Sequence, residues 1–221
     1  MYATNLTAEQ SASCSPIIYN FDRSEDLAEF VDPSFENNFC QENAFLDQGN
    51  LVLRLTSRCG PSIGPSFEYR TGKVEARLRT GSTSGVVTSL YLRSGTGPDG
   101  SQDEVDIEFV GQDPNQFQSF YWVDGKRGQN DPIYHDTGSD TSENYRVYGI
   151  DYQADEVSWL LDGQVIRTLR REDANMFPTQ SMRFKITIWD GSDYDNWAGK
   201  SNPSNFPQYA YFDWIKFTPS C

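Results

Sequence analysis

Hydrophobic and polar residues alternate with a period of two along many short runs of this chain. This alternation is typical of β-strands that bury one face, because successive side chains in a strand point to opposite sides. Clusters of Gly, Pro, Asp and Asn separate the runs, and Asp162-Gly163 is a strong two-residue hairpin signal. The candidate strands are Leu51–Leu55, Gly72–Arg79, Val86–Arg93, Glu104–Val110, Phe117–Val123, Tyr145–Tyr152, Val157–Leu161, Gln164–Arg170, Met182–Trp189 and Tyr209–Phe217.

Helical patterning is poor by comparison. The best candidate is a turn or two around Arg171–Met176, which Pro178 would stop. Many antiparallel strands, short turns and almost no helix predict an all-β fold, a sandwich of two sheets. A chain of 221 residues fits one such domain. We expect a single domain over residues 14–221, preceded by an N-terminal extension over residues 1–13 that lacks the apolar core of a signal peptide.

The stretch "SQDEVDIEFVG" places an acid at every second position of a candidate strand. Glu104, Asp106 and Glu108 therefore share one face, while Val105, Ile107 and Phe109 face the core. The Cα atoms of the two glutamates would lie roughly 13 Å apart, and both side chains can lean inward over Asp106. Their carboxyl groups could then approach the separation of about 5–5.5 Å that retaining glycosidases use.

Such chemistry needs one ionised carboxylate that attacks the sugar and one protonated carboxyl that donates to the departing oxygen. Three crowded carboxyls cannot all ionise easily, so at least one pKa should rise. Two other interpretations are a solvated outer face of an edge strand and a calcium site. Like charges in a row destabilise a strand, and calcium favours oxygen ligands from a flexible loop.

Charge and composition narrow the class of ligand. The net charge is −14 and the pI is about 4.4, which argues against nucleic acid and against an anionic membrane surface. An aromatic content of 14% suits a neutral polar ligand such as carbohydrate, although acidity can also serve solubility alone. No apolar run approaches membrane-spanning length. We expect a monomer with no metal ion and no organic cofactor.

The four cysteines are Cys14, Cys40, Cys59 and Cys221. None is in a C-x-x-C pair and the chain has one histidine, so a structural zinc site is not predicted. Four widely spaced cysteines fit two disulfides, with three possible connectivities, and a secreted or cell-wall protein. Cys40 and Cys59 flank one strand-like run and could staple neighbouring strands, which would leave Cys14 with Cys221.

A family resemblance follows from the motifs in their order. "GKVEARLR", "GVVTSLYLRS", "DEVDIEFVG", "NQFQSFYWVDGK" and "YGIDYQADEVSWLLDGQVIRTL" follow one another as in glycoside hydrolase family 16. They look like the fungal Crh-type (Congo-red-hypersensitive) cell-wall transglycosylases, and plant xyloglucan transglycosylases show a similar order. The resemblance covers roughly Asn20 to Thr218. An acid directly before the first Glu, here Asp103, resembles the fungal branch.

The resemblance implies a β-jelly-roll sandwich with an open substrate cleft on its concave face. It implies that Glu104 is the nucleophile, that Glu108 is the general acid and then the base, and that Asp106 orients and tunes Glu104. It further implies transfer of a chitin-type donor to a β-glucan or chitin acceptor. The alternatives are a hydrolytic endo-β-1,3(4)-glucanase and, from another class, a carbohydrate-binding protein without catalysis.

Gln118, Trp189 and Trp197 match the family more loosely, as substrate-binding residues. Trp122 shares a strand face with Gln118 and is a candidate for the same cleft, as are Arg79 and Tyr91. Trp159 and Trp214 are expected in the core, and His135 in a loop. The chain departs from the family at Phe120 and Lys200 and in the longer loop "SGTGPDGSQ", and these departures leave the substrate pair open.

Overall fold

The computed structural model describes residues 15–31, 39–97, 99–129, 131–174 and 176–220. Two antiparallel sheets pack face to face, which confirms the expected all-β jelly-roll sandwich. The sheet with the three acids is called the front sheet, and the other is the back sheet. The front-sheet strands are β4 (Ser62–Ile63), β6 (Val86–Arg93), β7 (Glu104–Val110), β8 (Gln116–Val123), β9 (Lys126–Arg127), β10 (Ile133–Asp136) and β14 (Arg183–Asp190).

The back sheet contains the two ends of the described chain. Its strands are β1 (Ile17–Tyr19), β2 (Ala44–Asp47), β3 (Asn50–Leu55), β5 (Gly72–Arg79), β11 (Arg146–Tyr152), β12 (Glu156–Leu161), β13 (Gln164–Arg170) and β15 (Gln208–Pro219). Their order is β13-β12-β11-β5-β15-β3-β2, with β1 also paired to β15. The front order is β10-β8-β7-β6-β14-β4, with β9 beside β8, so the acid strand β7 lies inside its sheet.

The core fills the space between the sheets and follows the predicted period of two. Val105, Ile107 and Phe109 of β7 are buried there, as expected. From the back sheet, Trp159 is fully buried and its Nε1 donates to the backbone oxygen of Asp106 at 2.9 Å. This bond ties the acid strand to the opposite sheet.

All ten predicted strands are present, and all of their bounds lie within two residues of those predicted. The turn at Asp162-Gly163 connects β12 and β13, and both residues have positive φ, 49° and 78°, as a type I′ hairpin requires. The prediction missed five short strands, β1, β2, β4, β9 and β10, because runs of two to four residues carry little periodic signal.

Helices differ from the expectation. The described residues of Arg171–Met176 form a turn without a helix. The chain instead forms α1 (Ser24–Phe30) and the single-turn α2 (Asp195–Ala198), with short 3₁₀ turns at Gln41–Asn43, Ser192–Tyr194 and Pro203–Asn205. Helix α1 is stabilised by packing, because Phe30 makes edge contacts with Tyr19 and Phe21.

A disulfide joins Cys40 and Cys59, as expected, with their Cα atoms 6.4 Å apart. The expected partners Cys14 and Cys221, and the extension over residues 1–13, lie outside the described residues. In the part of the chain that the structure describes, no helix is long and apolar enough to cross a membrane.

Candidate active site

Three acids occupy the outer face of β7, and each lies between two defined neighbours on β6 and β8. Glu104 lies between Arg93 and Trp122, Asp106 between Tyr91 and Phe120, and Glu108 between Ser89 and Gln118 in the strand register. The face was predicted from alternation alone. The structure adds that the three positions differ in their neighbours, and therefore in their chemistry.

Glu104 lies beside a cation. The Nε atom of Arg93 is 3.5 Å from Glu104 Oε2, and Gln102 Nε2 donates to the same oxygen at 3.1 Å. Burial raises the pKa of Glu104, while a hydrogen bond with Asp106 and the charge of Arg93 lower it. The two lowering contributions favour the ionised form, which a nucleophile requires.

Asp106 is buried, with 2% of its surface exposed. Its Oδ2 has no hydrogen-bond donor among the described residues. Burial and the charges of Glu104 and Glu108 raise the pKa of Asp106 well above its ordinary value, and a hydrogen bond with Glu104 raises it further. A proton on Asp106 can be donated to Glu104, which makes the contact between these two carboxyls a hydrogen bond.

Glu108 has neutral partners. Gln118 Nε2 donates to Glu108 Oε2 at 2.8 Å, and Ser89 Oγ donates to Oε1 at 3.2 Å. Burial raises the pKa of Glu108 to about 7, although both hydrogen bonds oppose that rise. A carboxyl with this pKa carries a proton at mildly acidic pH, as a general acid must.

The start of β7 is anchored by Asp103, which is 1% exposed. Its carboxylate accepts backbone N–H bonds from Thr179 at 2.7 Å, Gln180 at 3.0 Å and Asp124 at 3.2 Å. These bonds join three separate segments at one point. The residue directly before Glu104 is thereby held in place.

An aromatic cluster lies beside Glu108. Trp189 of β14 and Trp197 of α2 have ring centroids 5.9 Å apart, and Tyr194 lies 6.2 Å from Trp189. Trp197 Nε1 donates to Gln118 Oε1 at 3.3 Å, so the cluster is linked to Glu108 through Gln118. Tyr194 is 62% exposed and offers a ring surface to a ligand.

The structure brings five of the six candidate binding residues to the acid face. Gln118, Tyr91 and Trp122 are cross-strand neighbours of the acids, and Trp189 and Trp197 form the cluster above. Tyr91 also shares a hydrogen bond with Ser62 Oγ at 3.1 Å. Burial raises the pKa of Tyr91 to about 12, so its hydroxyl stays protonated.

Arg79 was wrongly expected in the cleft. It belongs to β5 of the back sheet, where Val74, Ala76 and Leu78 face the core, so its side chain points away from the acids. Its guanidinium stacks on Tyr211, 4.0 Å from the ring centroid. Strand periodicity gives the face of a residue but does not say which sheet the strand joins.

Three further expectations concern aromatic rings. Trp159 is in the core, as expected. Trp214 is not, because a β-bulge places it half-buried opposite Arg77, outside the core cluster. His135 lies in β10 rather than in a loop, and its Nε2 is 2.7 Å from Ser119 Oγ, on the side of the sheet away from the acids.

Phe120, a departure from the family, is 5% exposed and lies across from Asp106. The guanidinium of Arg127 covers its ring at 4.8 Å from the centroid. The sequence reasoning missed Arg93, Gln102, Ser89 and Tyr194. A two-residue alternation on β6 opposite β7 would have indicated Arg93 and Ser89, whereas no pattern pointed to Gln102 or Tyr194.

Among the described residues, the three potential metal ligands that lie together are Cys40, Glu42 and Cys59. The disulfide takes up both thiols, so this group does not fit a metal ion.

Comparison with known proteins is consistent with this geometry. Residues 31–216 match the sequence model of Glycosyl hydrolases family 16. "Crh-like protein CRH11" of Candida albicans is 33% identical over 215 residues, covering 90% of this chain and 46% of that protein. The "Beta-glucanase" of Bacillus subtilis is 33% identical over 176 residues, covering 77% of this chain and 69% of that protein. The chain thus spans about half the length of the Candida relative.

Solved structures agree on the fold. "Apo Crh5 transglycosylase" superposes with a TM-score of 0.78 at 26% identity, covering 94% of this chain and 85% of that one. A Bacillus licheniformis β-glucanase gives a TM-score of 0.77 at 24% identity, covering 93% of this chain and 99% of that one.

Proposed function

The chain belongs to glycosyl hydrolase family 16, and on that premise we propose that it cleaves a β-linked cell-wall glycan with retention of configuration. The donor is a chitin-type glycan, and the acceptor is a β-glucan or chitin. The observation that carries the proposal is the contrast along β7. Glu104 is paired with Arg93, while Glu108 contacts neutral groups and its pKa rises to about 7.

In the first step the Glu104 carboxylate attacks the anomeric carbon, and the bond from that carbon to the glycosidic oxygen breaks. Glu108 gives its proton to the departing oxygen. A glycosyl ester on Glu104 is the product. Asp106 keeps its proton and donates it as a hydrogen bond to Glu104, which limits the rise in the nucleophile's pKa.

In the second step an acceptor hydroxyl attacks the anomeric carbon of the glycosyl ester. Glu108, now ionised, takes the proton of that hydroxyl, and Glu104 leaves as a carboxylate. The two steps balance, because Glu108 ends with the proton that it began with. An acceptor hydroxyl from glycan gives transfer, and water gives hydrolysis.

Transfer requires a bound acceptor to outcompete water, and effective molarity at a shaped site can provide this. The cluster of Trp189, Tyr194 and Trp197 supports the proposal, since it lies on the Glu108 side and offers ring surfaces to sugar C–H faces. The similarity to a Crh-like protein over 90% of this chain points the same way.

A second candidate is an endo-β-1,3(4)-glucanase that acts by hydrolysis. It is favoured by the 33% identity to the Bacillus subtilis β-glucanase, which equals the identity to the Candida relative. We also propose that the protein acts outside the cell, which the disulfide between Cys40 and Cys59 supports. Residues 14–221 are proposed to form the single catalytic domain.

Product analysis by mass spectrometry separates the candidates. The protein is incubated at mildly acidic pH with chitin oligomers and a fluorescently labelled β-1,3-glucan oligomer. Label in larger hybrid products is the expected result. Shorter products alone would support the endoglucanase, and glycan binding without any turnover, on a panel of β-glycans, would support a binding protein.

A further inference from the structure

The loop between β6 and β7, described at residues 94–97 and 99–103, brings Gln102 to the nucleophile end of the acid row, with Thr96 beside it. Its backbone is held by Gly97 N–H to Ser101 O at 2.8 Å, and Gly125 N–H donates to Gln102 O at 2.9 Å. The bond from Gly125 fixes Gln102, the penultimate loop residue, against the turn that follows β8. Gln102 lies two residues before Glu104 in the sequence, and its side chain lies against the Glu104 carboxylate.

The orientation of the Gln102 amide is fixed by its partners. Its Oε1 accepts from Arg93 Nε at 3.0 Å, from Arg93 Nη2, and from Thr96 Oγ1 at 3.2 Å. Arginine has no acceptor, so the atom facing Arg93 must be the amide oxygen. The amide nitrogen therefore faces Glu104, where it donates to Oε2 at 3.1 Å.

We propose that Gln102 is a positioning residue for the nucleophile, with Arg93 and Thr96 as the groups that orient it. Its N–H holds the Glu104 carboxylate in one rotamer, and three donors on its oxygen polarise that N–H toward the carboxylate. The proposal rests on the proposed function only in that it takes Glu104 to be the nucleophile. The hydrogen-bond chain itself is a property of the folded protein.

The hydrogen bonds from Arg93 and Thr96 to Gln102, and from Gln102 to Glu104, affect both chemical steps. The bond from Gln102 stabilises the ionised form of Glu104, which exists before attack and again when the glycosyl ester breaks. It therefore favours formation of the attacking carboxylate and its departure in the second step. The charged and titratable groups around Glu104 are Arg93 and Tyr91 on β6, Asp106 and Glu108 on β7, Arg127 on β9, and Arg183 and Lys185 on β14.

The direct test is the titration of Glu104 by carboxyl ¹³C NMR in the wild type and in Gln102→Ala. We expect the Glu104 midpoint to rise by about one pH unit in the variant, because a donor to the charged form is lost. Gln102→Glu should raise it further, since a second carboxylate would then lie against Glu104. Gln116→Ala is the matched control, because Gln116 is a glutamine of the same sheet that donates to Asp113.

A pH profile of kcat/KM adds a second readout. In Gln102→Ala the acid limb should move to higher pH and the maximal rate should fall about tenfold, while the basic limb, set by Glu108, stays in place. An unchanged Glu104 midpoint in a folded variant would overturn the proposal. The NMR titration needs no substrate, so a wild type without activity would count against the proposed function and leave the test of Gln102 intact.

Discussion

Replacing Glu108 by glutamine should stabilise the protein at neutral and alkaline pH. Burial raises the pKa of Glu108 from 4.5 to about 7. The folded protein therefore binds this proton more tightly than the unfolded chain does. The Glu108 proton makes its full contribution to the free energy of unfolding below pH 4.5, and this contribution is lost as the pH rises to about 7. At about 1.4 kcal/mol for each pH unit, the loss reaches about 3 kcal/mol.

Glutamine cannot ionise, and it retains the shape and the two hydrogen-bond partners of Glu108. Its oxygen can accept from Gln118 Nε2, and its amide can donate to Ser89 Oγ. The free energy of unfolding of Glu108→Gln should therefore match the wild type near pH 4.5 and exceed it by about 3 kcal/mol at pH 8.

Urea unfolding of both proteins at pH 4.5, 6, 7 and 8 measures this difference. Glu143→Gln, at an exposed glutamate, is the control and should give a difference that stays near zero at every pH. A difference for Glu108→Gln that is constant with pH would refute the reasoning, because the Glu108 pKa would then be the same in both states.

Three further changes test other parts of the structure. Glu104→Gln should lower the rate by more than about 10³-fold with glycan binding kept, measured by turnover and calorimetry, and loss of binding would contradict the nucleophile role. Trp159→Phe removes the donor to Asp106 and should cost about 1–3 kcal/mol in urea unfolding, whereas an unchanged midpoint would show that the bond contributes nothing. Replacing Cys40 and Cys59 together by alanine should cost about 3 kcal/mol in calorimetry, and equal melting temperatures would contradict a stabilising disulfide.

The strands of the sandwich were predictable because alternation over six or more residues reports a buried face. β5, β6 and β7 were predicted with the bounds that the structure shows. The short strands of the same sheets were not predicted. For example, β9 has two residues and both are exposed, so it shows no alternation. Helix α1 was missed because its stability comes from Phe30 in an aromatic contact with Tyr19, which is a property of the packing.

The acid row was predictable for the same reason, but its electrostatics were not. Crowding predicted a raised pKa without saying which carboxyl would carry it. The distinction comes from β6 and β8, which place Arg93 beside Glu104 and Gln118 beside Glu108. Arg79 shows the limit of this reasoning, because its strand has the right periodicity but joins the back sheet.

The central claim is that Glu104 and Glu108 act by double displacement. Proton NMR of the anomeric signals, recorded from the first minutes of a reaction with any glycan that the protein cleaves, tests it most directly. The account predicts that each newly formed anomeric centre is β: the new glycosidic linkage where a glycan hydroxyl accepts, and, where water accepts, a reducing end that then mutarotates to α. A new α-linkage, or a reducing end that appears first as the α-anomer, would mean single displacement with inversion and would contradict the role given to Glu104.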